Sequence, residues 1–511
     1  MQFRFKHLLV FTFTAVSFFQ SSSSFGYSDN YKSLDFKRHE IETDFKITHP
    51  ISVANLQSDG QQLVVIGEDK DLKRVLAIYE FQADDCELAK QFPRRLLQID
   101  VPNHFLAYDI FQNGKNQKLV FQTNKDLQVL DLNKKSFVQL QSVESIYLRP
   151  EAQFLVKKKL VVDLNDDKKD DLFIPDFRGL HLLLQKDDGS FVQQTLPIAP
   201  RIQMNDSSAT YNETRFFIAD LNLDKKSDLV LAKDQSLQYF AQKEDGTFDT
   251  VAKTLKLDVN TSEFFWWELR EADGQQVDQN NLAHRIVDKI SDINNDGLAD
   301  MLVRFSQSEG VLDRTNDYEI YLGKQVDGQL SFDKQPQSLI KADGTIGSLD
   351  LVDIDGDKKS EVLVSSFDIG VSQIIGALLS GSIDQDVYIF KMDDNGVYSK
   401  EPHVDKEVEM TFSLSSGKSG EPVVKLADFN GDGLKDLMFS SGESRLKIYP
   451  GTKQDRVFEK RSKRLKLDVP KEGKHVDTAD IDNNGKEDVI VRYGRQDDKK
   501  LSNKFVVLMS Q

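Results

Sequence analysis

The chain has 511 residues, 39% hydrophobic and 29% charged, with 83 Asp and Glu against 66 Lys and Arg, a formal charge of −17. That length exceeds one ordinary domain, and the acidic balance excludes a basic nucleic-acid surface while suiting a protein that binds cations. The single cysteine, Cys86, excludes an intramolecular disulfide, and nothing around it supplies the base a catalytic thiol needs.

Residues 1–26 read as a secretory signal peptide. Arg4 and Lys6 charge its start, LLVFTFTAVSFF from Leu8 to Phe19 is a short apolar core, and Ser24 and Gly26 fit a cleavage site. The run is shorter than the ~20 residues of a membrane span, and no other stretch is long and apolar enough. Export to the periplasm or the exterior is expected, with no stable membrane span after cleavage.

Six decapeptides then recur: DLNDDKKDDL from Asp163, DLNLDKKSDL from Asp220, DINNDGLADM from Asp292, DIDGDKKSEV from Asp353, DFNGDGLKDL from Asp428 and DIDNNGKEDV from Asp480. NLQSDGQQLV from Asn55 and DIFQNGKNQK from Asp109 are degenerate copies. First positions step by 54, 54, 57, 72, 61, 75 and 52 residues, the mark of one supersecondary unit repeated with insertions. Short oxygen side chains at alternate positions around a glycine are what a hard cation such as calcium requires, since it takes six to eight oxygens at about 2.3–2.6 Å.

Short Val-, Ile- and Leu-rich runs flank each loop, such as LVVD (160–163) before and DLVLA (228–232) after, so the loops join strands rather than helices. A third and a fourth run follow, GLHLLLQ (179–185) and SFVQQTLPI (190–198), joined by an Asp-Gly hairpin at Asp188 that recurs in register at Asp245. Four antiparallel strands repeated around a ring describe an all-β propeller, of eight blades or, if the Asn55 or Asp109 unit is incomplete, seven. The last unit runs out at its third strand, FVVLMS (505–510), so the N-terminal run DFKITH (44–49) is expected to supply the fourth and close the ring.

The tandem DxNxDGxxDL motif between strands resembles the FG-GAP/VCBS repeats of integrin α-subunit propellers and of many secreted bacterial proteins, over roughly residues 45–511. The resemblance implies calcium held by positions 1, 3, 5 and 9 and by the position-7 carbonyl. Carried onto this chain, the sites are Asp163, Asn165, Asp167 and Asp171; Asp220, Asn222, Asp224 and Asp228; Asp292, Asn294, Asp296 and Asp300; Asp353, Asp355, Asp357 and Glu361; Asp428, Asn430, Asp432 and Asp436; and Asp480, Asp482, Asn484 and Asp488. Three loops keep Gly at position 6, whereas Lys168, Lys225 and Lys358 stand there in the others, where a left-handed residue costs about 1 kcal/mol and an ammonium adds repulsion. Those three sites are expected to be weaker. The Asn55 and Asp109 copies are expected to bind nothing, with Leu63 and Gln117 at position 9. Purely polar Asx turns are the alternative reading of all these loops.

The metal loops leave the blades on one face, and the insertions at 259–281, 306–317 and 366–386 are expected on the other. Loops on a rigid scaffold are where binding concentrates, so a protein or glycan partner is placed there. Trp266 and Trp267, the only tryptophans, are the candidate ligand-binding residues, with packing of the insertion as their alternative role. Val371, Ile374, Ile375, Leu378 and Leu379 have the spacing of one helical face. No GxSxG, HExxH, CxxC or phosphate-loop motif is present. A non-catalytic monomeric scaffold is therefore expected; the alternative is a polysaccharide lyase or hydrolase using His284, Glu268 and Arg270.

Overall fold

The structure, a computed structural model, describes residues 33–57, 60–81, 93–151, 153–204, 208–310, 314–342, 345–367, 382–413, 418–453 and 456–511. The expected signal peptide at residues 1–26, Cys86 and the apolar face expected from Val371 to Leu379 lie outside them. The strand-forming runs pair into eight antiparallel blades of four principal strands, with almost no helix. Blade 3 shows the pattern, with Val161–Val162, Asp171–Asp176, Gly179–Gln185 and Phe191–Leu196 paired in chain order.

Both faces of each blade are covered by its neighbours. All seven residues of Gly179–Gln185 are buried. Leu182 and Leu184 pack with Leu229, Leu231 and Phe240 of blade 4, while Leu183 packs with Phe111 and Val120 of blade 2. Alternate side chains of a strand point to opposite faces, so a near-continuous apolar run is what a strand between two blades requires. The Asn55 and Asp109 units each form a full blade, from Ser52–Gln57 to Arg94–Asp100 and from Ala107–Asn113 to Ser136–Ser142. The ring therefore has eight blades, not seven.

The chain's N-terminal part closes the ring, but through a different strand from the expected one. Phe36–Glu42 pairs with Lys504–Ser510, from Phe36↔Ser510 to Glu42↔Lys504. DFKITH instead contributes Lys46–Ile47 to the edge of blade 1, with Phe45 and Ile47 buried between blades 1 and 8. The physical reason lies in the side chains. Phe45 and Ile47 are needed in the core, whereas the charge-rich FKRHEIE can cover an outer edge, where charges also discourage further pairing.

The insertions differ from expectation in three places. Within 306–317 the described residues extend strands Asp300–Glu309 and Arg314–Tyr321, with Ser308 still paired to Arg314 and 311–313 outside the described residues. Strands also border the 366–386 insertion, ending at Phe367 and resuming at Ser382, with 368–381 outside the described residues. Nor do all insertions lie on one face. The third-to-fourth connection of blade 5, on the metal-loop side, carries a hairpin of Lys324–Val326 and Gln329–Ser331, whose Leu330 seals the seam between blades 4 and 5. Among the described residues no helix is long and apolar enough to cross a membrane.

Candidate metal centres and the opposite face

Each of the six loops joins the first strand of a blade to its second, as the motif's flanks require. Within them the backbone is left-handed twice. Position 6 has φ of 64°, 68° and 71° at Lys168, Lys225 and Lys358, and 87°, 83° and 82° at Gly297, Gly433 and Gly485. Position 4 is left-handed as well, at Asp166, Leu223, Asn295, Gly356, Gly431 and Asn483. Sequence reasoning missed position 4, although five of its six residues are Asp, Asn or Gly, the types that tolerate that region. These two reversals turn backbone amides inward. Asp428 accepts from Gly431, Asp432 and Gly433 at 2.7, 3.2 and 2.8 Å, and Asp292 accepts from Asp296 and Gly297.

Nothing lies within 4 Å of a Cβ built on Gly433, whose φ is +83°. Gly433→Ala is thus expected to cost about 1 kcal/mol of backbone strain alone. A denaturant midpoint lowered at unchanged slope checks this.

Position 9 starts the second strand and is the most buried group of each loop. Asp171, Asp228, Asp300, Asp436 and Asp488 are fully buried, and Glu361 nearly so. One carboxylate oxygen accepts from the position-2 amide, as in Ile481 N to Asp488 at 2.8 Å. Except at Glu361, the other oxygen accepts from the backbone at the end of the third strand, at Gln185, Gln242, Gly323, Gly451 and Ser510. Position 9 therefore pins three strands of its blade. Burial nevertheless outweighs these bonds and pushes Asp171, Glu361, Asp436 and Asp488 up to about 7, and Asp228 and Asp300 up to about 6.

Carboxylates raised by burial and aimed at one point fit a cation. Oxygens of Asp353, Asp355 and Glu361 lie within 4.8 Å of one another, as do those of Asp480, Asp482 and Asp488. Either group could hold a metal ion. Asp355 Oδ1 is buried with no hydrogen-bond partner, an acceptor with capacity to spare. Its Oδ2, however, receives Lys391 Nζ at 2.6 Å, an internal cation that position counting along the motif could not reveal. In blade 3, Lys169 reaches Asp167 at 3.0 Å in the same way. The loops also join neighbouring blades, for Gln242 of blade 4 donates to the Asn165 carbonyl of blade 3 at 2.8 Å.

In blades 1 and 2 the degenerate copies are drawn into the strands, with residues 58–59 of blade 1 outside the described residues. Asn55 and Asp109 lie within strands rather than loops. Gln62, fully buried, accepts from Leu56 N at 2.8 Å, so a neutral amide does the backbone work of position 9. Asp109 accepts from Leu160 N and Val161 N of blade 3 at 2.8 and 3.2 Å. It has become a blade-to-blade tie.

On the opposite face the two tryptophans part company. Trp266 is half-buried under the Arg314 guanidinium, 4.8 Å from its ring, while Trp267 is exposed and stacked on Phe265 at 4.4 Å. The three residues of the enzymatic alternative are committed to structure. His284 Nε2 bonds the Phe264 carbonyl at 2.9 Å. Glu268 is held by Arg201, Asn212 and Phe265 N, and Arg270 donates to the Trp267 and Leu269 carbonyls.

A hairpin that sequence reading missed lies beside them, in the crossover from blade 3 to blade 4: Arg201–Met204 paired with Ala209–Asn212. Its pattern is inverted. Arg201, Gln203 and Asn212 turn inward to Glu268, whereas Ile202 and Met204 are 55% and 67% exposed. Tyr211, across from Ile202, continues the apolar side, and Phe177 and Tyr147 extend it edge-to-face at 5.0 and 5.3 Å. Phe154, 67% exposed, shares with Tyr147, Phe177 and Tyr211 the lining of a cavity of about 680 Å³.

A family model described as an FG-GAP-like repeat matches residues 292–364 and 428–491. No curated protein matches the chain. Among solved structures, one of an Agrocybe aegerita lectin that recognises non-reducing terminal N-acetylglucosamine is similar at 14% identity and TM-score 0.40, over 84% of this chain and 94% of that one. The V. cholerae biofilm matrix protein Bap1 is similar at 10% identity and TM-score 0.37, over 92% and 89%. The WD40 domain of SCAP from fission yeast is similar at 10% and 0.35, over 94% and 95%. At these scores the likenesses add nothing to the reading of function, which rests on the residues above.

Proposed function

Starting from the premise that this chain is an FG-GAP-repeat β-propeller protein, we propose that it is an exported, calcium-stabilised, non-catalytic scaffold that binds a protein or glycan partner on the face away from its metal loops. The observation that carries the metal half is the loop repeated six times, with a buried carboxylate at position 9 and two left-handed residues, and with three acidic oxygens brought within 4.8 Å of one another in blades 6 and 8. The ligands are the position 1, 3, 5 and 9 side chains of each loop. Calcium suits them because it accepts irregular oxygen shells of six to eight. Its role is architectural, since position 9 already ties three strands.

The binding half rests on the inverted hairpin. Exposed apolar side chains scattered singly need no explanation, but Ile202, Met204, Tyr211, Phe177 and Phe154 adjoin one another on one face. Aliphatic groups such as Ile202 and Met204 offer a sugar hydroxyl nothing, so the patch favours a protein partner over a glycan. The catalytic alternative loses ground because His284, Glu268 and Arg270 are spent on holding the insertion.

Protein-capture and glycan-array screens, run with wild type and with Ile202→Ser/Met204→Ser/Tyr211→Ser, test this reading. The variant is expected to keep its melting temperature and lose the captured species, because hot-spot side chains typically carry 2 kcal/mol or more. Undiminished capture by the variant would remove the hairpin from the interface. Turnover of an acidic polysaccharide, lost in a folded His284→Ala, would sink the non-catalytic reading.

A further inference from the structure

On the face away from the metal loops, the second strand of blade 8 ends at Arg492, and the first strands of blades 1 and 2 begin at Ser52 and Ala107. Among the described residues, three hydrogen-bond donors there have no acceptor outside their own group. Arg492 is 7% exposed, and its Nε is buried without a partner. Among the described residues no carboxylate lies within 4.0 Å of its guanidinium, and no hydrogen bond reaches it. Tyr108, fully buried next to Ala107, and Ser52, at 4% exposure, have hydroxyls that face each other and meet no other acceptor among the described residues.

Asp477, Glu472 and Asp497 act on Arg492 through space, but among the described residues none comes within 4.0 Å of it, and each already has another partner. Asp497 is taken by Lys471 N and Gly494 N, both at 2.7 Å, Glu472 by Lys474 at 2.7 Å, and Asp477 faces Lys425 at 3.7 Å. His49, its ring 5.8 Å from that of Tyr108, bonds Thr48 through one nitrogen and the Leu155 carbonyl through the other. A buried charge without a partner is among the costliest features a fold can carry. Water can satisfy two hydroxyls, but it brings the guanidinium no counter-charge in contact, and the three carboxylates act only at longer range. An arginine fork is shaped for two oxygens of one acid group.

We propose that Arg492, with Tyr108 and Ser52 beside it, forms an oxyanion-binding site between blades 8, 1 and 2, taking a carboxylate or sulfate, either free or as the end group of a larger ligand. The site lies apart from the inverted hairpin of blades 3 and 4. Its failure leaves the partner surface untouched, and the converse holds.

Thermal scans and calorimetric titrations with sodium sulfate and sodium acetate, against sodium chloride at matched ionic strength, test this on the full chain in calcium buffer. A saturable rise in melting temperature is expected from at least one anion; a rise without saturation is the general salting effect of sulfate and would overturn the site. Arg492→Met is expected to melt no lower than wild type without the anion, since it removes an unpaired buried charge, and to abolish the saturable response. A lower melting temperature for this variant without anion, or an unchanged response to anion, would overturn the proposal. Tyr108→Phe is expected to fold and to bind about tenfold more weakly; unchanged affinity would remove it from the site. Heparin and polygalacturonate arms distinguish the sources. Polymer binding that is competed by the small anion and lost in Arg492→Met points to an end group, and a response to the small ion alone points to a free anion.

Discussion

EDTA is expected to lower the melting temperature of the protein, and calcium added back is expected to restore it. Without a cation, the loops of blades 6 and 8 each hold three acidic oxygens, those of Asp353, Asp355 and Glu361 and of Asp480, Asp482 and Asp488, within 4.8 Å of one another around a buried position 9. Like charges at that range destabilise whichever state keeps them ionised. A bound cation reverses the sign of the interaction and acts only on the folded chain, where the loop exists. At a hundredfold excess over its dissociation constant, one site adds about 2.7 kcal/mol. Several occupied sites make this the largest stability effect available to the molecule. Magnesium should substitute poorly, because it demands a near-ideal octahedron and gives up its water reluctantly. Superimposable scans with calcium and with EDTA would remove the structural role of the metal.

How much of this was legible in advance depended on whether the information was local. The six decapeptides, their strand flanks and the Asp-Gly hairpin at Asp188 lie within single blades, and the structure places them as the sequence implied. Left-handed backbone at Lys168, Lys225 and Lys358 was readable because Gly occupies the same position in the other loops. Leu223, left-handed at φ 62°, was not, since nothing in its own side chain predicts that conformation. What could not be read was pairing between distant residues. Lys391 reaches Asp355 from the third strand of its blade, and Gln62 replaces a carboxylate one position early. The ring's closure by Phe36–Glu42 rather than DFKITH turned on which strand's apolar residues the core between blades 1 and 8 required. The inverted hairpin escaped notice for a related reason. RIQM alternates apolar and polar residues as a core-facing strand does, and only its contacts with Glu268 reveal that the polar side faces inward.

Acidification should narrow the gap between the calcium and EDTA melting curves. The six position-9 carboxyl groups are pushed by burial to about 6 or 7 in the fold without cation, against about 4 in an unfolded chain. A carboxyl group whose folded pKa is raised binds its proton more tightly folded than unfolded, so stability falls as pH rises through that window and grows as pH falls through it. The EDTA form therefore gains from these groups between about pH 7 and pH 5. Buried histidines act in the opposite sense. His49, His181 and His284 are held below the usual histidine value chiefly by burial, and their contribution is lost as pH falls below about 6.5. That loss is common to both forms, so the difference between paired scans isolates the carboxylates. Calcium, in contrast, must compete with protons for the same oxygens, and the loaded form loses its advantage on acidification. The increment in melting temperature produced by calcium is thus expected to shrink steadily from about pH 7.5 to about pH 5.5. A constant increment across that range would mean that position 9 is not part of the cation's shell. Asp436→Asn sharpens the test. Its amide turns an N–H toward one of the two backbone donors at Phe429 and Gly451, which removes an acceptor as well as the titration.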